Sequence, residues 1–142
     1  MIEIGLTDGV IDVGHLTQLV RAADCGAVVT FLGTVRGRTG TRVTTSIHYE
    51  AYPEMAHRIL HRLAEEAKSR FGIERIAVVH RLGLLTVGEA SIGIALSSPH
   101  RAQAFEAVAW LMDSIKQSVP IWKRETDADG RSEWVHPGAE TV

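Results

Sequence analysis

Four cations stand out by type and placing. His100 and Arg101 follow Ser98-Pro99, Lys116 lies fifteen residues beyond Arg101, and Lys123 sits in Pro120-Ile121-Trp122-Lys123-Arg124-Glu125. Almost no acid is expected close enough to neutralise them, so the chemistry they suggest is the binding and stabilisation of an anion. A helix start favours the same ligand, because its first N–H groups are unpaired and the dipole is positive there. A His-Arg pair at that end costs an isolated helix about 0.3 to 1 kcal/mol, and an anion would remove the conflict. The plainer alternative is a solvated pair on a helix end.

A second group of cations lies in Gly33-Thr34-Val35-Arg36-Gly37-Arg38-Thr39-Gly40-Thr41-Arg42, a stretch without an acid. It reads as a mobile basic loop over 34–42. Arg36 and Arg38 can each give paired hydrogen bonds to a phosphate, and the glycines let the backbone approach a ligand. No Gly-Lys-Ser/Thr follows and no dinucleotide fingerprint is present, so ATP and NAD are not supported. His57 and His61 have the i, i+4 spacing of a metal pair, but His-Glu-x-x-His and a third ligand are missing. They are read as part of a solvated helix face, and no metal is expected. The lone Cys25 can form neither an internal disulfide nor a thiolate cage and is taken as a packing residue.

The elements that must position these groups follow from pattern. Ser98 as N-cap and Pro99 in the first turn open a helix that Pro120 ends, with Phe105, Val108, Met112 and Ile115 facing the core. At 1.5 Å per residue, such a helix separates Arg101 from Lys116 by about 22 Å. If both serve one small ligand, a symmetric dimer must bring the helix start of one chain to the helix end of the other. Upstream, a strand over 2–6 precedes a helix capped by Asp12 and stopped by Gly26. A buried strand over 27–32 and another over 43–51 flank the basic loop, the latter with Ile47, Tyr49 and Ala51 on one face. Tyr52-Pro53-Glu54 opens a long helix with Met55, Ile59, Leu63 and Ala67 inward, ended by Gly72. Strands over 73–82 and 90–97 enclose a turn over 83–88, with His80-Arg81 read as structural. Strands over 121–126 and 132–135 form a hairpin around Asp129-Gly130, and a frayed tail covers about 136–142. Three helices among about seven strands make an α+β fold with a mainly antiparallel sheet.

Composition bounds the rest. At 142 residues, 45% apolar and 23% charged, the chain suits one soluble domain over 1–142. Its net charge of -2 gives no global attraction to nucleic acid. No apolar run approaches a membrane span and the N-terminus lacks a signal-peptide pattern, so a cytoplasmic location is expected. On residues alone, three readings stand: an enzyme acting on an anionic substrate, a non-catalytic anion-binding module, and a scaffold that accepts a partner tail at a sheet edge.

Several stretches together resemble the large, catalytic subunit family of molybdopterin synthase. They are Gly26-Ala27, Phe31-Leu32-Gly33-Thr34-Val35-Arg36, Tyr49-Glu50-Ala51-Tyr52, His80-Arg81-Leu82-Gly83, Ser98-Pro99-His100-Arg101, Ala104-Phe105-Glu106-Ala107, Asp113-Ser114-Ile115-Lys116 and Pro120-Ile121-Trp122-Lys123-Arg124-Glu125. The resemblance implies an α/β hammerhead fold with a small extra β subdomain. It also implies a homodimer that binds two small ubiquitin-like subunits, a heterotetramer overall. The Gly-Gly tail of that partner would carry a thiocarboxylate and give sulfur in two successive transfers to cyclic pyranopterin monophosphate, forming the dithiolene of the molybdenum cofactor. By matching position, Lys116 and Lys123 would be catalytic and Arg36 would bind substrate. His100 and Arg101 would bind its anion from the neighbouring subunit, while Phe31 and Met112 would line the pocket. Arg38 joins the substrate-binding candidates through its place in the basic loop. No cofactor is implied, since the partner supplies the sulfur. The tail departs from the family pattern by offering only His136 as a further basic group.

Overall fold

The computed structural model describes residues 1–135; the expected tail and His136 lie outside the described residues. Two sheets share the work. In the first, the strands β1 (Ile2–Thr7), β2 (Ala27–Thr34), β5 (Arg75–Arg81) and β7 (Ala90–Ser98) lie in the order β1-β5-β7-β2. The β1–β5 pair is parallel and the others antiparallel. Strand alternation divides their side chains between two cores. Ile76, Val78, Ile92, Ile94 and Leu96 meet the helices α2 (Pro53–Phe71) and α3 (Arg101–Ser118) on one face. Ala77 and Ala95 meet α1 (Val13–Val20) on the other.

The second sheet is the extra β subdomain. Its long strand β4 (Arg42–Ala51) pairs with β3 (Arg38–Thr39) and β6 (Gly83–Thr86), and with β8 (Ile121–Asp127), which in turn pairs with β9 (Ser132–Val135). A small cluster of Val35, Ile47 and Leu85, with Tyr49 against it, fills its inner face. The expected α+β class with a mainly antiparallel arrangement holds, with nine strands among the described residues in place of about seven.

Local details differ from the expectations, each for a physical reason. Ser98 does not cap α3; ladder pairing to Ala27 keeps it in β7, and its hydroxyl donates to the carbonyl of His100. The N-cap position falls to His100, so His100 precedes the first turn. Helix α1 stops at Val20, and Gly26 instead approaches the β7–α3 connection, its N–H donating to the Pro99 carbonyl at 3.3 Å. Met55 and Phe105 point outward, 51% and 61% exposed. The buried stripes there are Ala56, Leu60, Ala64 and Ala67 on α2, and Ala104, Ala107, Leu111 and Ile115 on α3. Alanines let the helices pack closely to each other and to the sheet, which displaces the bulkier neighbours outward. Leu60 and Leu111, fully buried, each contribute about 2 kcal/mol of burial free energy. The turn expected over 83–88 holds strand β6, the basic loop contains the β3–β4 hairpin, and β2 is a half-buried edge strand. Gly72 ends α2 as expected, in the left-handed conformation at φ 66.

Candidate functional site

The pocket forms where the end of α3 and the start of β8 meet the end of β2. Only Val119 and Pro120 separate α3 from β8, so Lys116 in the last helical turn and Lys123 on the strand converge. They line one pocket of about 330 Å³ together with Phe31, Arg36, Tyr49 and Met112. The chain has twelve arginines and only three lysines, Lys68, Lys116 and Lys123, so two of its three lysines meet here. On the β2 side the ladder to β7 carries an irregularity between Gly33 and Thr34. Gly33 is required there: a Cβ at that position would lie 2.7 Å from Ile92 Cγ2. Ser91 fastens the bend by donating to the Gly33 carbonyl at 3.3 Å.

The electrostatics separate Lys123 from an ordinary surface lysine. Burial lowers its proton affinity, and the nearby charges of Lys116 and Arg36 push in the same direction. Glu125 opposes them, with Oε1 3.7 Å from Lys123 Nζ. The expectation that almost no acid stands near these cations is therefore corrected. Positions 123 and 125 lie on the same face of a strand, and that alternation was the signal for Glu125. Burial also raises Tyr49 above the usual phenol range. Thr34, Thr39 and Ser91 complete the polar lining, and none of the three was singled out from sequence as a site residue.

A second, more apolar cleft of about 440 Å³ adjoins the first and shares Phe31, Met112 and Lys116 with it. It runs along the edge strand β2 and the outer side of α3, past Val29 and the exposed Phe105. Lys116 thus faces both clefts.

The other expected residues lie elsewhere. His100 and Arg101 are exposed at the far end of α3, which is continuous over the whole distance, so about 22 Å separates Arg101 from Lys116 within one chain. Arg38 is exposed on β3 and does not line the pocket; its neighbour Thr39 does. His80, read as structural, is buried behind the pocket with its ring against Tyr49 at 5.1 Å. Its Nδ1–H donates to the Arg81 carbonyl at 2.8 Å, and burial pushes its pKa down to about 4, so the ring is neutral at pH 7. Arg81 pairs with Glu89 at 2.6 Å. Hydrogen bonds from Thr86 and Arg81 bring the Glu89 carboxyl down to about 2. His57 and His61 line an open cleft on α2, where His61 pairs with Glu65 at 2.9 Å. Among the described residues no group of side chains is placed to hold a metal ion, and no helix is long and apolar enough to cross a membrane.

Comparison with known proteins bears on this arrangement. Residues 6–118 match the family model described as MoaE protein. The chain is 44% identical over 132 residues to the molybdopterin synthase catalytic subunit of Culex quinquefasciatus, covering 91% of this chain and 84% of that protein. It is 45% identical over 132 residues to the molybdopterin synthase catalytic subunit of Thermoplasma volcanium, covering 92% and 96%. The crystal structure of molybdopterin synthase from Staphylococcus aureus superposes with a TM-score of 0.86 at 35% identity, covering 92% of this chain and 94% of that one.

Proposed function

This chain belongs to the MoaE family, and from that premise we propose that it is the catalytic subunit of a molybdopterin synthase, a sulfurtransferase of molybdenum cofactor biosynthesis. The observation that carries the reading to particular residues is the convergence of Lys116, Lys123 and Arg36 on one pocket, with an apolar cleft adjoining it. The substrate is cyclic pyranopterin monophosphate, whose phosphate calls for cations. The sulfur donor is the thiocarboxylated Gly-Gly tail of a small ubiquitin-like subunit. An extended tail without side chains suits an apolar cleft beside an edge strand, and Phe31 and Met112 line both that cleft and the lysine pocket.

In one transfer the thiocarboxylate sulfur bonds to the carbon whose C–O bond to the cyclic phosphate breaks, the freed oxygen staying on phosphorus. In the other it bonds to the adjacent carbonyl-level carbon, whose oxygen leaves as water. Water then cleaves the acyl–sulfur bond, leaving sulfur on the pterin and a carboxylate on the tail. Lys123, whose proton affinity is lowered by burial and by two neighbouring cations, accepts and returns the proton in these steps. The Lys116 ammonium faces the negative charge that develops as the cyclic phosphate opens, and Arg36 binds the phosphate. No cofactor is needed on this chain, because the partner brings the sulfur.

His100 and Arg101 cannot reach the pocket of their own chain across about 22 Å. They complete the anion site of the neighbouring chain in a homodimer, and two small subunits make a heterotetramer. The test is product formation on mixing the chain and substrate with thiocarboxylated small subunit, the carboxylate form serving as control. Product from the thiocarboxylate alone supports the reading. Absence of product from a stable complex overturns it.

A further inference from the structure

Glu125 and Glu133 face each other directly across the β8–β9 ladder. Opposed like charges destabilise a strand pair. Arg42, the first residue of β4, relieves them: its Nη1 lies 3.5 Å from Glu125 Oε2 and its Nη2 3.6 Å from Glu133 Oε2. Lys123 reaches the other oxygen of Glu125, Oε1, at 3.7 Å. One carboxylate is thus shared between a cation that lines the pocket and one that does not.

The sharing bears on the chemistry. A guanidinium keeps its charge at any working pH, and its planar fork engages both carboxylates at once. The Glu125 side chain is only 14% exposed, so its field is weakly screened and its orientation matters. Resting on the sulfur-transfer reading above, we propose that Arg42 is a positioning residue for that reaction. By clasping Glu125 and Glu133 across the hairpin, it weakens the pull of Glu125 on Lys123 and so favours release of the Lys123 proton in the pocket.

Among the described residues, the groups that face Lys123 set the sign of the effect. Lys116 comes from α3, Arg36 from the connection after β2, Tyr49 from the paired position on β4, and Glu125 from β8 itself. Burial, Lys116 and Arg36 favour neutral lysine, while Glu125 favours the ammonium. Removing Arg42 takes away a cation and releases Glu125 toward Lys123. Both changes raise the proton affinity of Lys123.

The full chain, labelled with 13Cε-lysine, tests this without substrate or partner, since only three lysine signals need assignment. In Arg42→Ala the Lys123 titration midpoint is expected to move up by about half a pH unit or more, and in Glu125→Gln to move down by a similar amount. Arg42→Lys, which keeps the charge, recovers most of the first shift. A mere staple between strands gives another signature: loosening the hairpin admits water to Lys123 and raises the midpoint in both variants. Shifts of the same sign in Arg42→Ala and Glu125→Gln, or none in Arg42→Ala, overturn the proposal. Should Arg42→Ala not fold, Glu133→Gln decides, because it alters a side chain 72% exposed and leaves Arg42 entirely to Glu125. A downward shift there supports the proposal, and an upward shift or none overturns it. Normal titration behaviour in a chain that makes no product would sink the sulfur-transfer reading alone.

Discussion

Replacing Lys116 by alanine separates chemistry from folding. The side chain is half-buried in the last turn of α3, where its charge favours the helix dipole by about 0.3 to 1 kcal/mol. Against a typical domain stability of roughly 5 to 15 kcal/mol, that loss leaves the protein folded. The catalytic loss is larger. Removing one group aimed at developing negative charge costs about 3 to 4 kcal/mol, a fall of roughly 10² to 10³ in the rate of the chemical step. A second effect has a definite sign. Lys116 is one of the charges that lower the proton affinity of Lys123, so its removal raises that affinity. The rising limb of the pH–rate profile, where Lys123 becomes neutral, then moves to higher pH. Single-turnover product formation across pH, with complex assembly followed by size-exclusion chromatography and light scattering, measures both effects. Turnover within about threefold of the parent, in a complex that assembles normally, would remove Lys116 from the mechanism. A large loss with an unmoved limb would refute the coupling to Lys123.

Two further outcomes follow from the same geometry. His80 has a folded pKa of about 4 against 6.5 in the open chain, so the folded state binds fewer protons between those values. Its contribution is present above pH 6.5 and falls by about 3 kcal/mol as pH drops toward 4. Urea unfolding at pH 7 and pH 4.5 should show this loss in the parent and a smaller one in His80→Gln; equal losses would contradict it. If sites are shared between subunits, mixing Lys116→Ala with Arg101→Ala and allowing exchange restores activity to at most about a quarter of the parent's, since half the dimers are mixed and each holds one intact site. No recovery despite exchange proven by mass spectrometry would place Arg101 outside the neighbouring site.

Much of this was legible in the residues, for reasons that can be named. Strand alternation, proline at a first helical turn and Asp-Gly at a hairpin are local signals, so β4, α2 and the β8–β9 hairpin were placed nearly to their observed bounds. The helix rise alone forbade Arg101 and Lys116 from sharing one site within a chain. The misses were tertiary. Ser98 is a good cap by type, but a ladder partner on β2 outcompetes a cap that only α3 would gain. Phe105 fits the helical spacing, yet the close approach of α2 and α3 selects the alanine stripe beside it. Strand β6 is short and glycine-bounded, and only its pairing to β4 makes it a strand. Of the three arginines in the basic stretch, sequence could not sort Arg36 at the pocket from Arg38 in solvent and Arg42 on Glu125, because their partners come from distant elements.

The central claim is that sulfur moves from a partner tail to a pterin at the Lys116–Lys123 pocket. Small subunit carrying a 34S-labelled thiocarboxylate, incubated with this chain and cyclic pyranopterin monophosphate, tests it by mass spectrometry of both product and tail. Two 34S atoms in each dithiolene, with two tails converted to carboxylate, is the expected result. An assembled complex whose tails keep their label and whose pterin gains none would contradict it.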